Sequence, residues 1–159
     1  MVISAESLAV IGGAIALAGG LAGTSLGLGA SCSAGAATLA EEPGQLRNVV
    51  VLASLPMTQT FYGLIVLILV LTRVLPKLAA MPDPGGNGFA VLGIGLIAGS
   101  AEWFSAWAQG WICASGISLL PKTKGKILTN AIMLAVFAEL FGVLGLVFTI
   151  LALSMLGLF

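Results

Sequence analysis

Residues 54–63 read SLPMTQTFYG and stand between two strongly apolar runs. Leu55, Thr58, Gln59 and Tyr62 are spaced i, i+3, i+4 and i+7, so a helix through this stretch carries all four on one face. Pro56 has no N–H to give and can leave a carbonyl in the preceding turn without its usual partner. The Leu55 carbonyl is the acceptor expected to be freed. One helical face therefore offers a hydroxyl, an amide, a phenol and a backbone oxygen inside an apolar segment.

The surroundings explain why this matters. Mean hydropathy is +1.16, with 59% hydrophobic and 8% charged residues among 159. A soluble domain is about a quarter charged, so this composition fits lipid and not water. The six basic and six acidic residues cancel, and no basic patch suggests nucleic acid. There is no His, which excludes His-based metal binding and acid–base catalysis. Cys32 and Cys113 form no Cys-x-x-Cys pair and read as small buried residues. The start, MVISAES, lacks a basic leader, so the first apolar run is expected to remain as a span.

Apolar segments cover roughly 8–39, 49–75, 88–119 and 127–158, each longer than the ~20 residues that cross a bilayer. EEPGQLRN at 41–48, PKLAAMPDPGGNG at 76–88 and PKTKGK at 121–126 separate them. Backbone in hydrocarbon must satisfy its own hydrogen bonds, so the spans are helices. The expected fold is an all-α membrane protein of four transmembrane helices in two tandem hairpins, 1–79 and 80–159. A shift of 80 places Leu17-Ala18-Gly19 on Ile97-Ala98-Gly99 and Gln59 on Glu139, as a duplicated hairpin would. Arg47, Lys122, Lys124 and Lys126 in the first and third loops outweigh Arg73 and Lys77 near the second. That bias predicts a cytoplasmic side for loops one and three, and both termini outside.

The first span carries Gly19, Gly23 and Gly27 four residues apart, a stripe that lets helix backbones approach closely in lipid. It suits tight packing within one bundle, and suits better the crowded inner side of a ring of many copies. Gly27-Leu28-Gly29 and the run from Gly93 to Ala98 echo dinucleotide-binding turns. Neither joins a strand to a helix, so that reading fails.

Glu139 lies mid-span in LAVFAELFGVLG, where a carboxylate costs several kcal/mol and marks a functional site by default. Gln109 lies in AWAQGWICASG of the third span. With Leu55, Thr58, Gln59 and Tyr62 these residues make a set of oxygen ligands, which hard cations prefer. A proton needs only the carboxylate and one or two partners, whereas Na+ needs several oxygens. The set favours Na+ and keeps H+ as the alternative. A small four-span exporter also uses one intramembrane Glu; a dimer in detergent, against a large ring, would distinguish it. A purely structural membrane protein leaves Glu139 unexplained.

At LPMTQTFYG, AQG and AELFG the chain resembles the proteolipid (K or c) subunit of V-type rotary ATPases, in its four-helix, sodium-pumping bacterial form. The resemblance spans essentially the whole chain. It implies a non-catalytic rotor protomer in the cell membrane of a prokaryote, assembled into a homo-oligomeric ring in membrane lipid. It implies Na+ at the Leu55 carbonyl, Thr58, Gln59, Gln109 and Glu139, with Tyr62 hydrogen-bonded to Glu139. It further implies a stator subunit with an intramembrane Arg, and central-stalk subunits touching loops 41–48 and 121–126. Two features depart from the family pattern. Trp103, Trp107 and Trp111 form a bulky stripe where small residues are usual, filling space against the first span or facing lipid within the ring. Glu102 precedes Gln109 by seven residues and has no counterpart. It reads either as a hydrogen-bonded carboxyl or as a second ion-binding group.

Overall fold

Gly19 of the first helix lies directly against the backbone of Gly99 of the third, and this contact sets how closely the bundle closes. The computed structural model describes residues 4–159. The opening residues 1–3, part of the segment read as lacking a leader, lie outside it. Four helices are long and apolar enough to cross a membrane: α1 (Ala5–Glu41), α2 (Pro43–Leu78), α3 (Pro84–Ser118) and α4 (Leu128–Met155). They form two tandem hairpins, with no strand among the described residues.

The ends follow local chemistry. Ser4 caps α1 by accepting the Ser7 N–H at 3.2 Å. Asp83 caps α3 at Gly86 N–H, 2.9 Å, with Pro84 at the position where a missing N–H costs nothing. The expected first loop, 41–48, is much shorter than its composition suggests. Pro43 opens a single 3-10 turn, Pro43–Gln45, and α-helix resumes at Leu46. Lys124 (φ 52°) and Gly125 (φ 81°) turn the chain through the left-handed region between α3 and α4. Gly125 sits over the Gln45 and Asn48 side chains, so loops one and three share one end of the bundle. Lys77 donates to the Phe159 carbonyl and so joins the second loop to the carboxyl end at the other.

α1 and α3 run parallel along a seam of small residues. A Cβ on Gly12 would lie 2.7 Å from the Val91 carbonyl oxygen, and one on Gly99 would lie 2.6 Å from that of Ile15. α2 packs antiparallel against α1 by the same means, with a Gly20 Cβ 2.6 Å from the Gln59 oxygen. Apolar clusters close the two ends of the bundle. Val70, Val74, Leu78, Val91, Ile94 and Leu153 fill one, and Val49, Leu52, Cys113, Ile117, Leu120 and Ala135 the other. Between them lies a buried polar layer of Gln59, Glu102, Ser105 and Gln109. Trp103, Trp107 and Trp111 are exposed, although the Trp103 backbone abuts Gly23 of α1. Cys113 is buried, but Cys32 is exposed, contrary to the expectation that both are buried; both are free thiols.

The seam has no room for a side chain. Gly99→Leu should lower the yield and melting temperature of the membrane-extracted protein, since overpacking alone costs about 1–3 kcal/mol. Gly93→Ala should be tolerated, because a Cβ there meets nothing within 4 Å. Equal stability of the two variants would contradict the packing described.

Candidate functional site: an intramembrane carboxylate

α2 begins its middle turn irregularly. Leu55–Met57 is a 3-10 turn around Pro56, and regular helix resumes at Thr58. The Leu55 carbonyl is not free as expected. It accepts the Thr58 N–H and, at 3.2 Å, the Thr58 hydroxyl. Pro56 itself is buried, and its carbonyl takes the Thr24 hydroxyl at 2.7 Å. Thr60 donates in turn to Thr24 Oγ1 at 2.9 Å. The kink is thereby pinned to α1, and the next turn of α2 aims Thr58, Gln59 and Tyr62 at α3 and α4.

Glu139 of α4 receives those groups. Tyr62 donates its phenolic hydrogen to Glu139 Oε1 at 2.7 Å. Gln109 Nε2 donates to Glu139 Oε2 at 2.7 Å, and Gln59 Nε2 reaches the same oxygen at 3.5 Å. The two amides are linked, Gln59 Nε2 donating to Gln109 Oε1 at 2.9 Å. Thr58 Oγ1 lies 3.1 Å from Gln59 Oε1 and donates to it or to the Leu55 carbonyl. Leu55, Thr58, Gln59, Tyr62, Gln109 and Glu139 thus form one connected network. Gln59 and Gln109 are buried, while Glu139, Thr58 and Tyr62 are half-buried at its outer edge.

Ser105 is a member that the sequence reading missed. It accepts from Gln59 Nε2 at 2.9 Å and donates to the Ala138 carbonyl at 2.7 Å, tying α2, α3 and α4 together one turn from Glu139. The available signal is spacing: Glu102, Ser105 and Gln109 stand at i, i+3 and i+7 on one face of α3. Glu102 is fully buried beside this network but outside it, with neither carboxyl oxygen hydrogen-bonded.

No group of three or more His, Cys, Asp or Glu able to hold a metal ion occurs among the described residues. A cation at Glu139 would therefore rest on one carboxylate and neutral oxygens. Such a site is electrically balanced by a single positive charge, which suits a monovalent ion.

Known proteins share this sequence pattern. The family of ATP synthase C subunits matches residues 11–70 and 92–152, most of each hairpin. The chain belongs to this ATP synthase C-subunit family. Its proteins are non-catalytic, ion-translocating subunits that form rings in a membrane. The chain is 36% identical over 147 residues to the A-type ATP synthase subunit K of Methanocaldococcus jannaschii, covering 90% of this chain and 62% of that protein. It is 30% identical over 129 residues to the V-type sodium ATPase subunit K of Enterococcus hirae, covering 81% of this chain and 79% of that protein. The two matched segments leave the loop between α2 and α3 outside, and place Gln59 in the first and Glu139 in the second.

Ser105 links three helices, so Ser105→Ala removes one partner each from Gln59 and the Ala138 carbonyl. A lost hydrogen bond costs about 0.5–1.5 kcal/mol. The variant should show a lower melting temperature in detergent than the parent; an unchanged melting curve would remove Ser105 from the network.

Proposed function

We propose that this chain is a rotor-ring protomer of a V-type ATPase that carries Na+ at Glu139. The observation that carries the reading is a mid-membrane carboxylate, Glu139, held by Tyr62, Gln109 and Gln59 from two other helices. The Leu55 carbonyl, Thr58 Oγ1 and Gln59 Oε1 supply oxygens beyond what a proton requires, and Gln109 Oε1 adds another. Similarity to a relative named as a sodium ATPase subunit supports the same choice. The amide nitrogens satisfy the carboxylate, and a bound cation would replace these donors by oxygens.

The mechanism follows from charge. A loaded Glu139 is neutral and crosses lipid at low electrostatic cost, while an unloaded carboxylate requires a cation beside it. An Arg of a stator subunit would supply that cation and expel the ion. Each charge moved is worth ~2.3 kcal/mol per 100 mV. Rotation would be driven by ATP hydrolysis, or would drive ATP synthesis, in soluble partner subunits. The first hairpin, 1–79, carries Gln59 where the second, 80–159, carries Glu139. Each protomer therefore moves one ion, which gives more force per ion and favours work against a steep gradient.

Ring assembly has a surface to use. Phe104, Ala108 and Ile112 of α3 and Phe137, Ala138 and Phe141 of α4 line an open apolar groove beside the site. Phe104, Phe137 and Phe141 are more than half exposed in the single chain. Neighbouring copies and membrane lipid would cover them. Loops 41–48 and 121–126 share one end, where a central stalk would bind, with both termini at the opposite, outer face of the cell membrane of a prokaryote.

Glu139→Gln should abolish ion transport by reconstituted complexes while the ring still assembles; retained transport would overturn the assignment. Thr58→Val removes one oxygen ligand, worth about 1–2 kcal/mol, and should raise the half-saturating Na+ concentration about tenfold. A sodium dependence equal to that of the parent would argue against Thr58 as a ligand.

A further inference from the structure

Glu102 is the one membrane-embedded carboxyl that the rotor mechanism does not use. It is 0% exposed, and neither oxygen has a hydrogen-bond partner. Its place is nonetheless built for it. A Cβ on Gly142 of α4 would lie 2.9 Å from Glu102 Oε2, and one on Gly145 would lie 3.5 Å from Oε1. Two glycines one turn apart thus clear space on α4 for this side chain, and any larger residue at Gly142 would take it.

The donors that could stabilise an ionised Glu102 are already spent. Ser105 Oγ, which flanks the same Gly142 position at 3.1 Å, gives its hydrogen to the Ala138 carbonyl. Gln59 Nε2 is shared among Ser105, Gln109 and Glu139, and Gln109 Nε2 between Glu139 and the Ala135 carbonyl. The titratable groups nearest Glu102 on the packed helices are Glu139 of α4 and Tyr62 of α2. Neither is a cation. All six Lys and Arg stand at positions 47, 73, 77, 122, 124 and 126, in or beside the loops. α1 offers only Glu6, Glu41 and Cys32, all far from its middle. A bare carboxylate here would be an isolated buried charge, which proteins do not keep. A metal cation at Glu102 would have to draw the Gln59 and Gln109 oxygens away from Glu139, which they serve in the proposed cycle. What remains is a proton.

We propose that Glu102 lies outside the ion-loading machinery and holds a resident proton, as a neutral carboxylic acid, throughout the cycle while Glu139 exchanges its ion. The difference in access supports separate roles. Glu139 is half-buried at the outer edge of the network, whereas Glu102 is enclosed by α2, α3 and α4. Each protomer then carries two positive charges when loaded, one mobile at Glu139 and one resident at Glu102. The resident proton spares the site a second negative charge during the step when Glu139 has released its ion.

Infrared spectroscopy of purified Glu139→Gln protein in detergent tests this directly, because Glu102 is then the sole intramembrane carboxyl. At neutral pH the spectrum should contain the C=O stretch of one protonated carboxyl per protomer, shifted in D2O and unchanged by saturating Na+. The band should vanish in Glu102→Gln/Glu139→Gln. A Glu139→Gln spectrum with no protonated-carboxyl band, or one that loses it on adding Na+, would overturn the proposal. Glu102→Gln alone gives a second, independent arm. That isosteric variant should keep the parent's Na+ affinity within about twofold; a tenfold change would show that Glu102 is ionised or shares the ion. These outcomes are separate from the choice of ion at Glu139, which the sodium dependence of transport by the parent decides.

Discussion

A carboxylate in hydrocarbon must be neutralised or surrounded by donors, and the arrangement of this protein follows from meeting that demand at Glu139. No single helix can do it. Tyr62 comes from α2 and Gln109 from α3, and both reach the carboxylate at 2.7 Å. That convergence requires three helices to approach within side-chain reach at one depth. The glycine seam provides the approach, drawing α3 onto α1 at Gly19 and Gly99, and α2 onto α1 at Gly20. The Pro56 kink, held by Thr24, then gives the final aim. Apolar packing at both ends of the bundle leaves the polar layer in the middle, where low polarity strengthens its hydrogen bonds.

The same demand connects structure to motion. A protomer that turns through lipid cannot carry net charge in its span. In the proposed cycle Glu139 would meet this by exchanging an ion where a cation is at hand, and Glu102 by keeping its proton. The two carboxyls share one membrane layer but differ in surroundings, and the proposed tasks follow from that difference. One sits among donors at a half-open edge, and the other in an enclosed space cut by Gly142 and Gly145.

Much of this is legible in the sequence. The four spans follow from hydropathy and length, and the polar face of α2 from the spacing of Thr58, Gln59 and Tyr62 alone. Glu139 stands out because a lone carboxylate in an apolar run is costly and persists where it is used. Features that depend on contacts between helices leave weaker traces. Ser105 is an ordinary helical serine until Gln59 and the Ala138 carbonyl are brought to it. Gly142 and Gly145 resemble the remaining glycines of the chain until Glu102 is seen beside them. Pro56 signals a broken ladder, but which carbonyl finds which partner depends on Thr58 and Thr24. The first loop is shorter than expected because Pro43 suits the first turn of a helix as well as a linker. The tryptophan stripe is visible as spacing, while the face it takes is decided by the glycine seam that occupies the neighbouring side of α3.

The most direct test of the central claim is labelling of the purified membrane protein with dicyclohexylcarbodiimide, which modifies protonated carboxyls buried in membranes, with and without Na+. Peptide mapping separates modification at Glu139 from that at Glu102. If Glu139 is the carboxyl that loads the transported ion and Na+ is that ion, Glu139 is modified in sodium-free buffer and millimolar Na+ protects it. Modification that responds to pH but not to Na+ would contradict the sodium site, and an unmodified Glu139 would contradict the rotor mechanism itself.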